Sequence, residues 1–285
     1  MGVYHAKDDD AHRITVLNAK QWTAWLSNRF LSSKNIIYSM YPHADTASFP
    51  MIRTAVQGIL ENDKGAHLIT MHPDPSPASS SFMHTEFWLS FNTLQTWSTD
   101  LMNYEMVRSD YIRLPVKPVV DGEARYEEEE GTTAFQVRRA GYWTCLAGGF
   151  YTYGHRDNWK SPQTWRNWYA SPGAVQMKIM GNFFRSVDWW KIVPDQEIFR
   201  KWTNGNVAAR SSDGDWIVAY LTDKSAVTIN LKCITAFSFA TGWWINPLTG
   251  ERTRIDDYPT SESKTFTLPA GWQDALLFIK GNKDL

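Results

Sequence analysis

The chain has 285 residues, enough for about two domains with a sizeable core in at least one of them. Lysine plus arginine number 29 against 30 acidic residues, and a formal net charge of -1 supplies no basic field for a nucleic-acid backbone or an anionic membrane surface, so both partners are excluded. Apolar residues at 43% and charged residues at 21% exclude a disordered chain; aromatic residues reach 14%, and flat rings in that number suit sugar faces as well as core packing.

From Met1 to Arg13 the chain is polar and acidic, without the basic and apolar regions of an export signal, and nowhere do 18 apolar residues run together. Asn18 is placed to cap a helix with Gln21 at its third position, and Trp22, Trp25, Leu26 and Phe30 fall on the stripe that this helix is predicted to bury. Asn35 to Met40 reads as a short strand. Ser48 and Pro50 then open a helix whose apolar face is Ile52, Ala55, Val56, Ile59 and Leu60, ending near Gly65. The alternation continues with strands at His67 to Met71, Phe87 to Leu94, Lys117 to Gly122 and Phe150 to Tyr153. Helices are predicted over Leu101 to Ile112, Thr132 to Ala147 and Gly173 to Val187. Five strands, each followed by a helix or a long loop, are the pattern of a parallel α/β barrel or a doubly wound sheet.

After Asp195 the pattern changes. Trp216 to Leu221, Ala226 to Leu231, Ala236 to Trp244, Lys264 to Leu268 and Ala275 to Ile279 are short runs of β-formers separated by turn signals such as Asp213-Gly214. They predict a C-terminal β-sandwich over 195–285 after an α/β domain over 1–194, with Trp189 and Trp190 packing the two together.

No dinucleotide or phosphate-binding glycine loop, serine-hydrolase elbow or HExxH motif occurs, Cys145 and Cys233 have no metal spacing, and no metal or cofactor is expected. The segment Lys117-Pro118-Val119-Val120-Asp121-Gly122-Glu123 stands out, because an apolar strand delivers a glycine and then a carboxylate at its C-terminal end, where parallel α/β barrels place catalytic groups. Glycosidic-bond hydrolysis needs two carboxyls, one protonated and one ionised, and Glu123 suits the ionised role. Read on spacing alone, Glu123 to Glu130 is equally a solvated acidic loop. Arg125 is placed to pair with Glu123 or with Glu127.

The ordered set Asn35-Ile36-Ile37, His67-Leu68-Ile69-Thr70-Met71-His72-Pro73, Trp88-Leu89-Ser90-Phe91-Asn92-Thr93-Leu94-Gln95 and the Glu123 segment resembles the apiosidase-like glycoside hydrolases. Trp189-Trp190-Lys191-Ile192-Val193-Pro194 and Trp243-Trp244-Ile245-Asn246-Pro247-Leu248-Thr249-Gly250 resemble the junction and the C-terminal sandwich, labelled collagen-binding, that accompany that domain. The resemblance implies an extracytoplasmic bacterial enzyme of plant-polysaccharide breakdown built on a (β/α)8 TIM-type barrel. Family members carry three further βα units, so this chain is expected to hold a partial barrel of the last five units, completed by a symmetric copy or a companion fragment.

The resemblance also implies Glu123 as nucleophile. Where family members carry Gly-Gly-Asp with its general acid, this chain reads Tyr41-Pro42-His43-Ala44-Asp45; Asp45 is the working acid, with His43 and Glu86 as alternatives. His72, Asn92, Gln95, Glu127, Tyr153, His155 and Trp159 are the expected substrate-binding residues. Trp97, Trp143, Trp165 and Trp168 are further stacking candidates, Trp143 being assigned to core. Two other readings stay open, a non-catalytic carbohydrate-binding remnant and a surface-attachment protein acting through the sandwich.

Overall fold

A computed structural model of the chain describes residues 14–40, 48–98, 100–160, 163, 165–201 and 204–283. By their internal contacts the residues form two compact units. The first takes the chain to Trp97 together with Ser109–Glu123, and the second takes Ser98–Arg108 together with everything from Ala124 onward.

In the first unit the order is α1 (Ala19–Phe30), β1 (Ile37–Met40), α2 (Phe49–Asp63), β2 (Leu68–Met71), α3 (Ser80–Met83), β3 (Asn92–Leu94) and β4 (Val119–Asp121), with α4 (Met102–Tyr111) between the last two in the chain. β1 and β2 pair in parallel, as do β3 and β4. Ser90 links β2 to the segment entering β3: its N–H donates to Ile69 O at 2.8 Å and its Oγ accepts from Ile69 N at 3.0 Å.

Helix α2 follows its sequence pattern. Ser48 precedes it, Pro50 occupies the first turn where a missing N–H costs nothing, and Ile52, Ala55, Val56 and Ile59 are buried together with Tyr38, Met40, Ile69 and Met71. Helix α1 does not. Its buried residues are Ala19, Thr23, Leu26 and Ser27, while Trp22 and Trp25, expected inside, are 39% and 52% exposed and stack on each other at 5.2 Å. The cause is close packing on α2. Thr23 Oγ1 donates to Ala55 O at 2.6 Å, and a Cβ at Gly58 would stand 2.2 Å from Lys20 O, so the backbones meet closely at Thr23 while Leu26 is buried further along. The expected strand Phe87 to Leu94 shrinks to β3; Lys117 Nζ donates to Glu86 O and Leu89 O and holds residues 86–89 in a turn.

The second unit contains α5 (Ala134–Leu146), β5 (Phe150–Tyr151), α6 (Arg156–Lys160), α7 (Trp165–Trp168) and α8 (Pro172–Arg185). Eight strands follow: β6 (Ile192–Pro194), β7 (Val207–Ser211), β8 (Trp216–Leu221), β9 (Val227–Asn230), β10 (Phe239–Ile245), β11 (Arg252–Pro259), β12 (Ser263–Phe266) and β13 (Ala275–Asn282). Thr133 starts α5 with a reciprocal cap, its Oγ1 accepting from Gln136 N and its N–H donating to Gln136 Oε1.

Six of these strands form one antiparallel sheet in the order β11-β10-β13-β8-β7-β6, and β12 with β9 forms a second. The sheets share a core, with Ile217, Ala219, Leu277 and Ile279 of the larger meeting Val227, Ile229 and Phe266 of the smaller. On its other face the larger sheet meets helices: Tyr220 stacks on Tyr142 of α5 at 4.7 Å and Phe278 meets Phe183 of α8 at 5.7 Å. Covered on both sides, β8 is buried at all six residues, which is why it reads as an unbroken apolar run. A buried bidentate ion pair ties helix to sheet, Arg138 Nε and Nη2 donating to Asp274 Oδ2 and Oδ1 at 2.8 and 2.9 Å. Trp189 and Trp190, expected to be packed between domains, are instead 41% and 65% exposed, Trp189 meeting Phe150 edge-on.

Candidate functional site

In the first unit the C-terminal ends of β2, β3 and β4 bring His72, Gln95 to Trp97, and Gly122 to Glu123 into one cluster. Gly122 N and Glu123 N both donate to Leu94 O, at 2.9 and 3.3 Å, and Trp97 N donates to Glu123 O at 3.3 Å, so the two strand ends hold each other's backbone. Gly122 is dictated by this approach, because a Cβ there would lie 2.8 Å from Thr93 Cγ2. Asp121, fully buried, accepts from Thr96 Oγ1 at 3.0 and 3.2 Å and fixes the β3 end to the β4 end. Trp97 carries a backbone φ of 45°, a left-handed conformation that costs a non-glycine residue energy and that the bond to Glu123 O helps to hold.

Glu123 Oε2 lies 3.2 Å from His72 Nε2, and the two side chains are 15% and 14% exposed. His72 Nδ1 faces Pro73 O at 3.1 Å, an acceptor, and therefore carries its own proton. Nε2 is the ring nitrogen turned toward the Glu123 carboxylate, and both side chains keep a small part of their surface open to solvent. Of the two carboxyls expected from the sequence, Asp45 lies outside the described residues, as does His43. Glu86, the weaker acid candidate, is tied to Arg53 Nη2 at 2.7 Å and accepts from Trp88 Nε1.

Gln95 is almost fully buried beside this cluster. Asn92, expected to reach substrate, is instead fully buried at the opposite end of β3, with Oδ1 3.1 Å from His84 Nδ1. It is the first residue of its strand, and only the last residues of a parallel strand open onto the C-terminal face.

In the second unit Glu127 is likewise turned inward. Its carboxylate, 3% exposed, accepts from Tyr153 OH, from Ser171 Oγ at 2.8 Å and from Gly173 N at 2.9 Å, so it closes the N-terminus of α8. The expectation that Glu127 meets substrate is replaced by this anchoring role. Burial, and then the Glu127 carboxylate, push the Tyr153 hydroxyl well above its ordinary pKa and keep it a donor. His155 is buried, its Nδ1 accepting from Asp157 N at 3.1 Å and its Nε2 3.8 Å from Glu128 Oε2. Arg125 forms an ion pair with Glu130. Trp143 is core, as expected, with Nε1 donating to Gly205 O at 2.8 Å, and Trp168 lies against Tyr153. Trp159 sits on α6, its side chain outside the described residues, as is that of Trp165. Sequence reasoning missed the Thr96–Asp121 lock and the role of Ser171, for which the Ser-Pro-Gly start of α8 was the available sign.

Parallel strands with intervening helices, a carboxylate at a strand's C-terminal end and a following antiparallel sheet define a glycoside-hydrolase-type fold. A solved structure described as a glycoside hydrolase superposes with a TM-score of 0.86 at 22% identity, over 95% of this chain and 70% of that one. Another, a glycoside hydrolase family 5 protein from Bacteroides vulgatus, gives 0.89 at 22% identity, over 98% and 70%. The family described as "Apiosidase-like, catalytic domain" matches residues 3–191, and the one described as "Putative collagen-binding domain of a collagenase" matches 193–280. The chain belongs to the apiosidase-like catalytic-domain family, followed by a domain of the second kind. No curated protein matches it.

Proposed function

We propose that the chain is a glycosidase acting on plant-type oligosaccharide or polysaccharide, with Glu123 as nucleophile and Asp45 as general acid. The observation that carries this reading is the Glu123 carboxylate, set at the C-terminal end of β4, partly open to solvent and 3.2 Å from His72 Nε2. In this role one Glu123 oxygen attacks the anomeric carbon as the acid protonates the departing oxygen. Water then hydrolyses the glycosyl ester, with the acid returning as base. The approach of His72 Nε2 to Oε2 orients the carboxylate so that one oxygen is held and the other faces substrate. His72, beside Glu123, and Gln95, at the end of β3, are the residues proposed to meet the sugar.

The same reading makes residues 1–194 a partial barrel of five βα units and residues 195–285 a separate sandwich. The change of family match between residues 191 and 193 supports that division.

The test compares wild type with Glu123→Gln on plant cell-wall oligosaccharides and aryl glycosides at equal folded concentration. Release should fall by roughly 10³-fold or more, as it does when a nucleophile is removed. Equal release by both proteins would remove Glu123 from the mechanism. No release by wild type would leave a non-catalytic carbohydrate-binding protein.

A further inference from the structure

The end of α8 and the turn joining β10 to β11 enclose a groove of about 300 Å³, at the lower end of the range for small-ligand sites. It belongs wholly to the second unit and none of its lining residues contributes to the cluster around Glu123. Phe183 and Ile245 supply an apolar floor, and Asn182, Ser186, Thr249 and Arg252 supply the polar wall. No acidic residue lines it.

The wall is rich in hydrogen-bond donors. Arg252 sets its guanidinium over the rings of Trp243 and Phe278, at 5.6 and 5.3 Å from their centres, and among the described residues no hydrogen bond or ion pair engages its N–H groups. Burial pulls its pKa down from the ordinary value with no carboxylate acting the other way. Asn182 Oδ1 is already taken by Arg185 Nη2 at 2.7 Å, so the amide offers the groove its NH₂. Thr249 Oγ1 accepts from Glu251 N at 3.2 Å, which leaves its hydroxyl proton to donate. Ser186 Oγ donates to Phe183 O at 2.7 Å and alone is left as an acceptor. The turn is held by Asn246, which receives Leu248 N on its side chain and Gly250 N on its carbonyl.

A planar cation with a free donor edge, two further donors and an apolar floor match a ring that carries a carboxylate beside hydroxyls. We propose that this groove binds the uronic acid units of an acidic oligosaccharide, Arg252 taking the carboxylate on two N–H groups. The site is distinct from the proposed glycosidase centre and stands or falls independently of it.

The experiment is calorimetric titration of the full chain carrying Glu123→Gln, which holds any hydrolysis aside, with trigalacturonate and with its fully methyl-esterified form. The acid form should bind at least about tenfold tighter than the ester, and Arg252→Gln should remove about that factor, the share of one charge-assisted pair. Arg252 is exposed at the groove, and equal melting temperatures would show that its variant is folded. Asn182→Leu, on the opposite wall with the charge intact, should also weaken the acid form. Equal affinity for acid and ester, no binding of the acid, or unchanged binding in both variants would overturn the proposal.

Discussion

Replacing Asp274 by asparagine removes one charge from a pair that water does not reach. Arg138 and Asp274 side chains are each 3% exposed, and the carboxylate also accepts from Tyr220 OH at 2.6 Å while Arg138 donates to Gln176 Oε1. Burial on its own would pull the Arg138 pKa down; the bond and charge of Asp274 overcome it and hold the guanidinium above its ordinary value. Asp274→Asn therefore strands a cation rather than neutralising it, at a cost of about 3–5 kcal/mol. In a unit of this size that corresponds to a fall of roughly 6–20 °C in melting temperature. Scanning calorimetry of the variant measures it. The double variant Arg138→Met with Asp274→Leu should recover part of the loss, since it removes the stranded charge while Tyr220 OH and Gln176 Oε1 lose these partners. A single-variant shift below about 2 °C, under 1 kcal/mol, would refute the reasoning, as would a double variant less stable than either single one.

In the first unit a hydrogen bond donated to the Asp63 carboxylate raises the His67 pKa above its ordinary 6.5, against the opposing effect of burial, and Ser33 O adds to the rise. A raised folded-state value means that this stabilisation is whole below pH 6.5 and is lost as pH climbs through the folded-state pKa. Urea midpoints of wild type should therefore fall over that window, and His67→Gln should flatten the slope; identical slopes would refute the assignment. No strand lies beyond β1 among the described residues, and Ile37, Leu68 and Trp25 of the same unit are 42%, 52% and 52% exposed. We propose that a second copy covers this region, so light scattering should return at least a dimer; a monodisperse monomer would remove the proposal.

Helix α2 was legible because its start, its apolar face and its stop all agree. Helix α1 was half legible: Leu26 is buried as its periodicity implies, whereas the close approach of Gly58 to Lys20 and Thr23 turns Thr23 inward and leaves the tryptophans outside. β11 was not recognised at all, since an edge strand written Arg-Thr-Arg-Ile-Asp-Asp-Tyr-Pro keeps its charges outward and looks like a loop. β7 was missed because alanines carry little β signal, although it is nearly all buried.

At the candidate site, position in the strand decided what could be read. Glu123 and His72 follow the last residues of apolar strands and do meet, while Asn92 opens its strand and is enclosed. Glu127 differs from Glu123 by four residues, and nothing in the acidic run distinguishes them. What separates their fates is the exposed N-terminus of α8, supplied by residues more than forty positions later, which claims one carboxylate and leaves the other.

The chain passes between its two units after Trp97, within α4 after Arg108, and again after Glu123. Neither unit is thus a continuous stretch, and no single cut releases both intact. A piece ending at Trp97 lacks β4 and with it Glu123, while a piece starting at Ala124 lacks the residues from Ser98 to Arg108 that belong with it. Shortened versions for expression should keep residues 98–123 in one piece with both flanks, and a protease nick in that stretch is expected to damage the two units together.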